Sequence, residues 1–262
     1  KGGVGKTASA VNIAYLASRS GCSTLLWDLD SQGAASFYLS GGEPGKGKKI
    51  SKLLEGKVPI AEFIEANVYP GLDFIPAHKS FRNLDIRIEE DERSLPLKSM
   101  LAPLAEETSL VVLDCPPGQS RLTEQVLRVA DVVYVPLVPT WLSMNSWLQF
   151  RDFVRDKKLG QKKLRPFFTL VDRRKKLHRE LCEQAPDLFD RHMEAMIPYS
   201  SAVERMGEED RRGARADILF QRVRAPLRRG RIGAEQLGAR SGMDEPALHQ
   251  DDGIEIGGER GV

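Results

Sequence analysis

The chain has 262 residues, enough for one large α/β domain with a well-buried core. Hydrophobic residues at 41% and charged residues at 29% describe a globular protein, and no apolar run has the length of a membrane span. A net charge of +2 names no partner; three scattered cysteines (Cys22, Cys115, Cys182) argue against a disulfide framework and for a reducing cytoplasm, and four histidines without ligand spacing argue against zinc.

The chain opens on Lys1-Gly2-Gly3-Val4-Gly5-Lys6-Thr7, and a helix is expected directly after it. Ala10, Val11, Ala14, Tyr15 and Ala17 fall on one face at helical spacing, and Gly21 ends the run. Thr24–Trp27 reads as a short buried strand running into Asp28-Leu29-Asp30. Residues 41–49 read as a solvated loop. Ser51–Glu55 and Ile60–Ala66 are expected to be helical, and Gly71–Pro76 a strand. Leu95–Glu107 is expected to be a helix, Leu110–Asp114 an apolar strand ending on a carboxylate, and Val132–Val138 and Pro166–Val171 two further strands. Met193–Ile197 is a weaker strand, closed by Pro198.

Strands alternating with helices at this spacing imply βαβ units, hence a doubly wound, mostly parallel sheet with helices on both faces. Ligands of such sheets bind beyond the carboxyl ends of the strands, where Asp28, Asp30, Asp114 and Pro136 fall. A phosphate-binding loop is normally fed by a buried strand, so the first strand of the sheet is expected to be absent from the given chain. Residues 1–210 hold 29 basic and 29 acidic side chains; residues 211–262 hold ten arginines, eight acids and no lysine. This divides the chain into an α/β domain over 1–210 and a Gly/Arg-rich irregular tail over 211–262, either disordered or the product of a frameshift.

The opening glycines free backbone N–H groups to turn toward a phosphate, and the helix behind them adds its positive N-terminal end. Lys6 is placed to reach the β- and γ-phosphates, and Thr7 to coordinate Mg²⁺. The bland alternative is a flexible glycine-rich terminus. Asp28 and Asp30, two apart at a strand end, lie on one side of the chain, where one can support a metal shell and the other orient a water. The alternative is a pair of surface acids capping a turn. Leu110–Asp114 followed by Cys115-Pro116-Pro117-Gly118 has the Walker B form: an apolar strand delivers Asp114 toward Mg²⁺, and the Pro-Pro-Gly loop is placed to sense the γ-phosphate. Cys115 has no adjacent base and reads as a small buried residue.

The KGGxGKT loop, the D-x-D segment and the D-x-P-P segment, in this order, resemble the ParA/MinD group of deviant Walker A P-loop ATPases over residues 1 to about 208. The sequence departs from the family at Ser31, where a proline is usual. The resemblance implies a fold of the P-loop NTPase class and Mg²⁺-dependent ATP hydrolysis by a homodimer formed on ATP binding. It implies catalytic roles for Lys1 (reaching the partner's nucleotide), Lys6 and Asp30. It implies ATP contacts from Gly2, Gly3, Val4, Gly5, Lys6, Thr7 and Ala8, and from the base-recognition residues Asp172, Arg173 and Pro198. The metal would be held by Thr7, Asp28 and Asp114. The function so implied is partition of DNA or other cargo with a ParB-like activator, in the cytoplasm or on the nucleoid. Nonspecific DNA contact could come from Lys157, Lys158, Lys162 and Lys163 or from Arg173 to Lys176. Three other readings stand beside it. A MinD-like membrane-cycling ATPase would need a C-terminal amphipathic helix, for which Ile218, Leu219, Phe220, Val223 and Leu227 are poor material because Pro226 interrupts them. An electron-transfer ATPase of the nitrogenase-reductase kind would need two cluster-bridging cysteines. An inactive truncated product would follow if the missing strand cost the domain its stability.

Overall fold

The computed structural model describes residues 2–40, 52–53, 55–78 and 96–204, all within one compact unit. The expected tail over 211–262, the loop at 41–49 and Lys1 lie outside the described residues. Helix α1 (Lys6–Arg19) leads into β1 (Thr24–Asp28) and α2 (Ala34–Ser40). Strands β2 (Glu65–Tyr69) and β3 (Leu72–Ile75), helix α3 (Leu97–Leu101) and strand β4 (Leu110–Asp114) follow. Then come α4 (Arg121–Val129), β5 (Val133–Leu137), α5 (Trp141–Asp156) and β6 (Leu164–Phe168). Three short helices close the described chain: α6 (Lys176–Glu183), α7 (Ala185–Leu188) and α8 (Ser201–Glu204).

The strands form a four-stranded sheet in the order β2-β3-β1-β4 and a two-stranded sheet β5-β6. β1 runs parallel to both β3 and β4, β6 parallel to β5, and only β2 is antiparallel, at an edge. The mostly parallel α/β architecture expected from the sequence is therefore present. All five residues of β1 are buried, as a strand paired on both edges and covered on both faces requires. Alternation along the strands sorts the core into two layers. Leu25, Trp27, Val111 and Leu113 turn to one face and pack with Leu97, Met100, Leu122 and Val126 of α3 and α4. Leu26, Val112, Leu72 and Phe74 turn to the other and pack with Val11, Ala14 and Tyr15 of α1 and Ala35 of α2. Each fully buried Leu or Phe in these layers contributes about 1.5–3 kcal/mol. A third cluster, including Leu137, Trp147, Val154, Phe168, Leu181 and Phe189, covers the two-stranded sheet with α5, α6 and α7.

Local chemistry accounts for where the expected elements changed. Ile60–Ala66 is helical only at its start: a 3-10 helix at Ile60–Phe63 gives way to the edge strand β2. The helix expected over Leu95–Glu107 breaks after Leu101 into a 3-10 turn with Pro103 near its start, a residue with no N–H to continue an α-helix. Met193–Ile197 forms no strand. It runs along β6 as an irregular edge, with Met193 N–H donating to Pro166 O (3.0 Å) and Ile197 N–H to Phe168 O (2.9 Å). β4 and β5 each pair on one edge alone among the described strands, and α1 packs against both. No helix among the described residues is long and apolar enough to cross a membrane.

Candidate functional site

The carboxyl ends of β1 and β4 and the first turn of α1 meet at one place. Gly5 is the N-cap of α1 at φ +82°, and no side-chain hydrogen bond caps the helix, whose first-turn N–H groups have no partner within the helix itself. Gly3 is also left-handed, at φ +74°. A Cβ added at Gly2, Gly3 or Gly5 would meet nothing within 4 Å, so the loop encloses open space on the side where side chains are missing. Lys6, Thr7 and Ala8 form the first turn behind it.

Asp28 and Asp114 end adjacent parallel strands in direct register. Both are buried, at 0% and 2% exposure. Burial, reinforced by the charges of Asp28 and Asp30, pushes the Asp114 carboxyl up to about 7, against the opposing pull of a Thr7 hydrogen bond and the Lys6 charge. Asp114 Oδ2 is buried with no hydrogen-bond partner. An oxygen left so, beside a threonine hydroxyl and a lysine, fits a cation shell: Thr7 and Asp114 are the residues that would hold Mg²⁺, which would neutralise phosphate charge there. Among the described residues no three His, Cys, Asp or Glu side chains form a metal cluster of their own.

Asp28 has other partners. Its Oδ1 accepts the Asp30 N–H (3.1 Å), and its Oδ2 accepts both the N–H and the hydroxyl of Ser36 (2.9 Å each). The metal-shell role expected of Asp28 therefore falls on a carboxylate that already holds three protein donors. Burial raises its pKa as well, offset by those donors. Asp30 is half-buried, and its Oδ1 accepts the Gln32 N–H at 2.9 Å. Ser31 in place of proline leaves this turn closed, since Gly33 N–H still reaches Asp30 O at 2.9 Å. Burial pushes the Cys115 thiol up to about 12, which keeps it protonated and unreactive.

The second sheet is tied to the loop by a residue that sequence reading missed. The Thr169 hydroxyl, directly after β6, donates to Val4 O at 2.8 Å, and its N–H donates to Leu137 O at 2.8 Å. A threonine directly after the apolar Pro166–Phe168 run was the available signal. This contact brings the segment after β6 to the rim of the glycine loop. There Asp172 is clamped by Arg174 (Nε 2.9 Å to Oδ1, NH2 3.0 Å to Oδ2), which holds its carboxyl down at about 2. The Asp172 N–H donates to Nδ1 of buried His178 at 3.0 Å. Val171 bridges Pro198, and Arg173 is exposed. Asp172, Arg173 and Pro198 thus fall close together, but Asp172 is fully engaged: Arg174 holds its carboxylate, His178 takes its N–H, and its carbonyl accepts the Lys175 N–H at 3.0 Å.

The two basic clusters are partly spent. Lys157 pairs with Glu124 (3.0 Å), and Lys163 caps α4 by donating to Leu127 O and Ala130 O. Arg174 holds Asp172, and Lys176 pairs with Glu180 (3.5 Å). An open groove lined by Gln119, Asp152, Phe153 and Asp156 lies elsewhere, and Arg155 engages both its carboxylates.

A family model described as an AAA domain matches residues 1–165. The chromosome-partitioning ATPase Soj of Treponema pallidum is 31% identical over 204 residues, covering 76% of this chain and 79% of that protein. The chromosome partitioning protein ParA of Caulobacter vibrioides is 29% identical over 214 residues, covering 78% and 79%. Among solved structures, a plasmid partition protein from Borrelia burgdorferi bound to AMPPNP superposes with a TM-score of 0.70 at 26% identity, covering 80% of this chain and 86% of that one.

Proposed function

The chain belongs to the ParA/Soj family of P-loop ATPases, and from that premise we propose that it is a nucleotide-switched partition ATPase that moves DNA or other cargo. The observation that carries this reading is the register of Asp28 with Asp114 beside Thr7 and Lys6, with one buried Asp114 oxygen open. ATP is the substrate and Mg²⁺ the cofactor. Gly2, Gly3, Val4, Gly5 and Ala8 wrap the phosphates, Lys6 meets the β- and γ-oxygens, and Thr7 with Asp114 faces the metal. Asp30 orients the attacking water, and Asp28 holds Asp30. Asp172, Arg173 and Pro198 border the base. Lys1, outside the described residues, reaches the nucleotide of a second copy and supplies positive charge as phosphoryl transfer proceeds.

ATP closes a homodimer, and a ParB-like activator opens it by triggering hydrolysis. Support for a protein contact comes from Trp141 (62% exposed) and Leu142 (59% exposed) at the start of α5, just past the carboxyl end of β5. Lys158, Lys162, Arg173 and Lys175 remain for nonspecific DNA, which would place the protein in the cytoplasm on the nucleoid. The single-sided pairing of β4 and β5, with α1 across both, supports one further parallel strand between them.

The test is ATP turnover by the full-length protein in Mg²⁺ and in EDTA, with and without DNA. Asp30→Ala is expected to bind ATP and dimerise without hydrolysing it. Lys1→Ala is expected to lose hydrolysis. Full turnover in Asp30→Ala would refute the assigned chemistry, and full turnover in Lys1→Ala would remove the cross-dimer role.

A further inference from the structure

We infer that Ser36 is a positioning residue for ATP hydrolysis, acting on Asp30 through the buried carboxylate of Asp28. This rests on the reading of Asp30 as the water-orienting group. Four hydrogen bonds carry it. The Ser36 N–H and hydroxyl both donate to Asp28 Oδ2 at 2.9 Å. The same hydroxyl oxygen accepts the Ala77 N–H at 2.7 Å. The other oxygen of Asp28 accepts the Asp30 N–H at 3.1 Å. Asp28, Ser36 and Ala77 are 0%, 1% and 0% exposed, so water does not readily replace the three contacts of Ser36.

Asp28 sits in β1, whose register with β3 and β4 fixes its backbone. Its carboxylate could still rotate about the side-chain bonds. Two donors from one residue on the same oxygen remove that freedom and aim the other oxygen at Asp30. Asp30 then closes its turn onto Gln32 and Gly33. The Ala77 N–H also restrains the Ser36 hydroxyl: an oxygen that accepts from Ala77 is left to place its one proton on Asp28 Oδ2. The chain just past β3 thereby helps to hold the loop that carries Asp30. The Ser36 contacts above act on Asp28 and through it on Asp30, so their effect falls on turnover before nucleotide affinity.

The experiment measures kcat for Mg-ATP and nucleotide affinity separately in the full-length protein. Ser36→Ala is expected to lower kcat on the order of 10- to 100-fold, the cost of a misplaced reacting group, with ATP affinity within about twofold of the parent. Ser36→Thr keeps the hydroxyl and is expected to restore most of the rate. Circular dichroism establishes that each variant folds. If Ser36→Ala does not fold, Ser36→Thr and Ser36→Cys take its place. Thr, with a strong donor, should then turn over faster than Cys, with a weak one, and equal rates would overturn the proposal. Combining Ser36→Ala with Asp30→Ala should lower the residual rate no further than Asp30→Ala alone, because the two act in series. An unchanged kcat in Ser36→Ala, or a full additional loss in the double variant, overturns the proposal and leaves the role of Asp30 standing. Full turnover in Asp30→Ala overturns both.

Discussion

Thr169→Val deletes one hydroxyl and keeps the side-chain shape, which makes it a clean probe of how the second sheet holds the glycine loop. The hydroxyl is 2.8 Å from Val4 O, in a residue only 2% exposed. Val4 is itself buried, so the variant strands a carbonyl that water does not reach freely. Leaving a buried acceptor unmet costs about 1–3 kcal/mol. The loop can avoid that cost by moving off its ordered conformation, and nucleotide affinity falls by the fraction of loop that moves. If the whole cost is expressed there, the dissociation constant for ATP rises by about 5- to 150-fold. The rate at saturating ATP should stay near that of the parent, because Lys6, Thr7 and Asp114 are untouched. Calorimetric titration with ADP and a non-hydrolysable ATP analogue reads the affinity, and Thr169→Ser should recover most of it. A Thr169→Val protein that folds and binds nucleotide within about twofold of the parent would show that the hydroxyl does not hold the loop.

Three further outcomes follow from the site. Gly5→Ala and Gly21→Ala each force a left-handed residue (φ +82° and +89°) to carry a Cβ that meets nothing within 4 Å, so both should lose about 1–2 kcal/mol in thermal unfolding. Only Gly5→Ala should lose ATP affinity, and equal affinity in the two would refute the cradle. In EDTA, Asp114→Asn should be the more stable protein at pH 8. A carboxyl raised from 3.8 to about 7 binds its proton more tightly folded than unfolded, so the folded state carries no penalty below the ordinary pKa and the full one above about 7. The ceiling is about 4 kcal/mol at about 1.4 kcal/mol per unit. The gain should shrink as pH falls toward 5, hydrolysis should vanish, and a gain independent of pH would show that the charge is not its source. His178→Leu should raise the ATP dissociation constant about 3- to 10-fold at pH 8 by freeing the Asp172 N–H. Burial first, then Lys175, lowers the His178 pKa against the pull of Asp172, so the parent keeps this bond above the ordinary value of 6.5 and loses it as pH falls through a lower one. Affinity measured from pH 8 to 5 should converge for the two proteins; parallel curves would exclude the imidazole as the cause.

Much of the site was legible because its chemistry depends on local sequence. Three glycines before Lys6-Thr7, an apolar strand ending on Asp114 and two carboxylates two residues apart are patterns that backbone geometry turns directly into a phosphate loop and strand-end acids. β1 and β4 were read to within a residue for the same reason: a short apolar run closed by a carboxylate has one stable use in a parallel sheet. Where local signals were mixed, reading failed. Ile60–Ala66 has helical-looking composition, yet its end, from Glu65, enters an edge strand, because pairing with β3 outweighs propensity there.

Ser36, Thr169 and His178 were invisible for a different reason. Each acts on a residue far along the chain or hidden by packing: Ser36 on Ala77, 41 positions away, and Thr169 on Val4, 165 positions away. A serine, a threonine and a histidine carry no pattern that says which buried group they will satisfy. The opening Lys-Gly-Gly-Val-Gly-Lys-Thr and the acids at the ends of β1 and β4 were determined by the sequence itself, since phosphate binding needs bare backbone and charge at short spacing. Which oxygen of Asp28 faces Asp30, and which of its neighbours aims it, was decided only by tertiary structure, because burial leaves each polar group to whatever partner the fold brings within 3 Å.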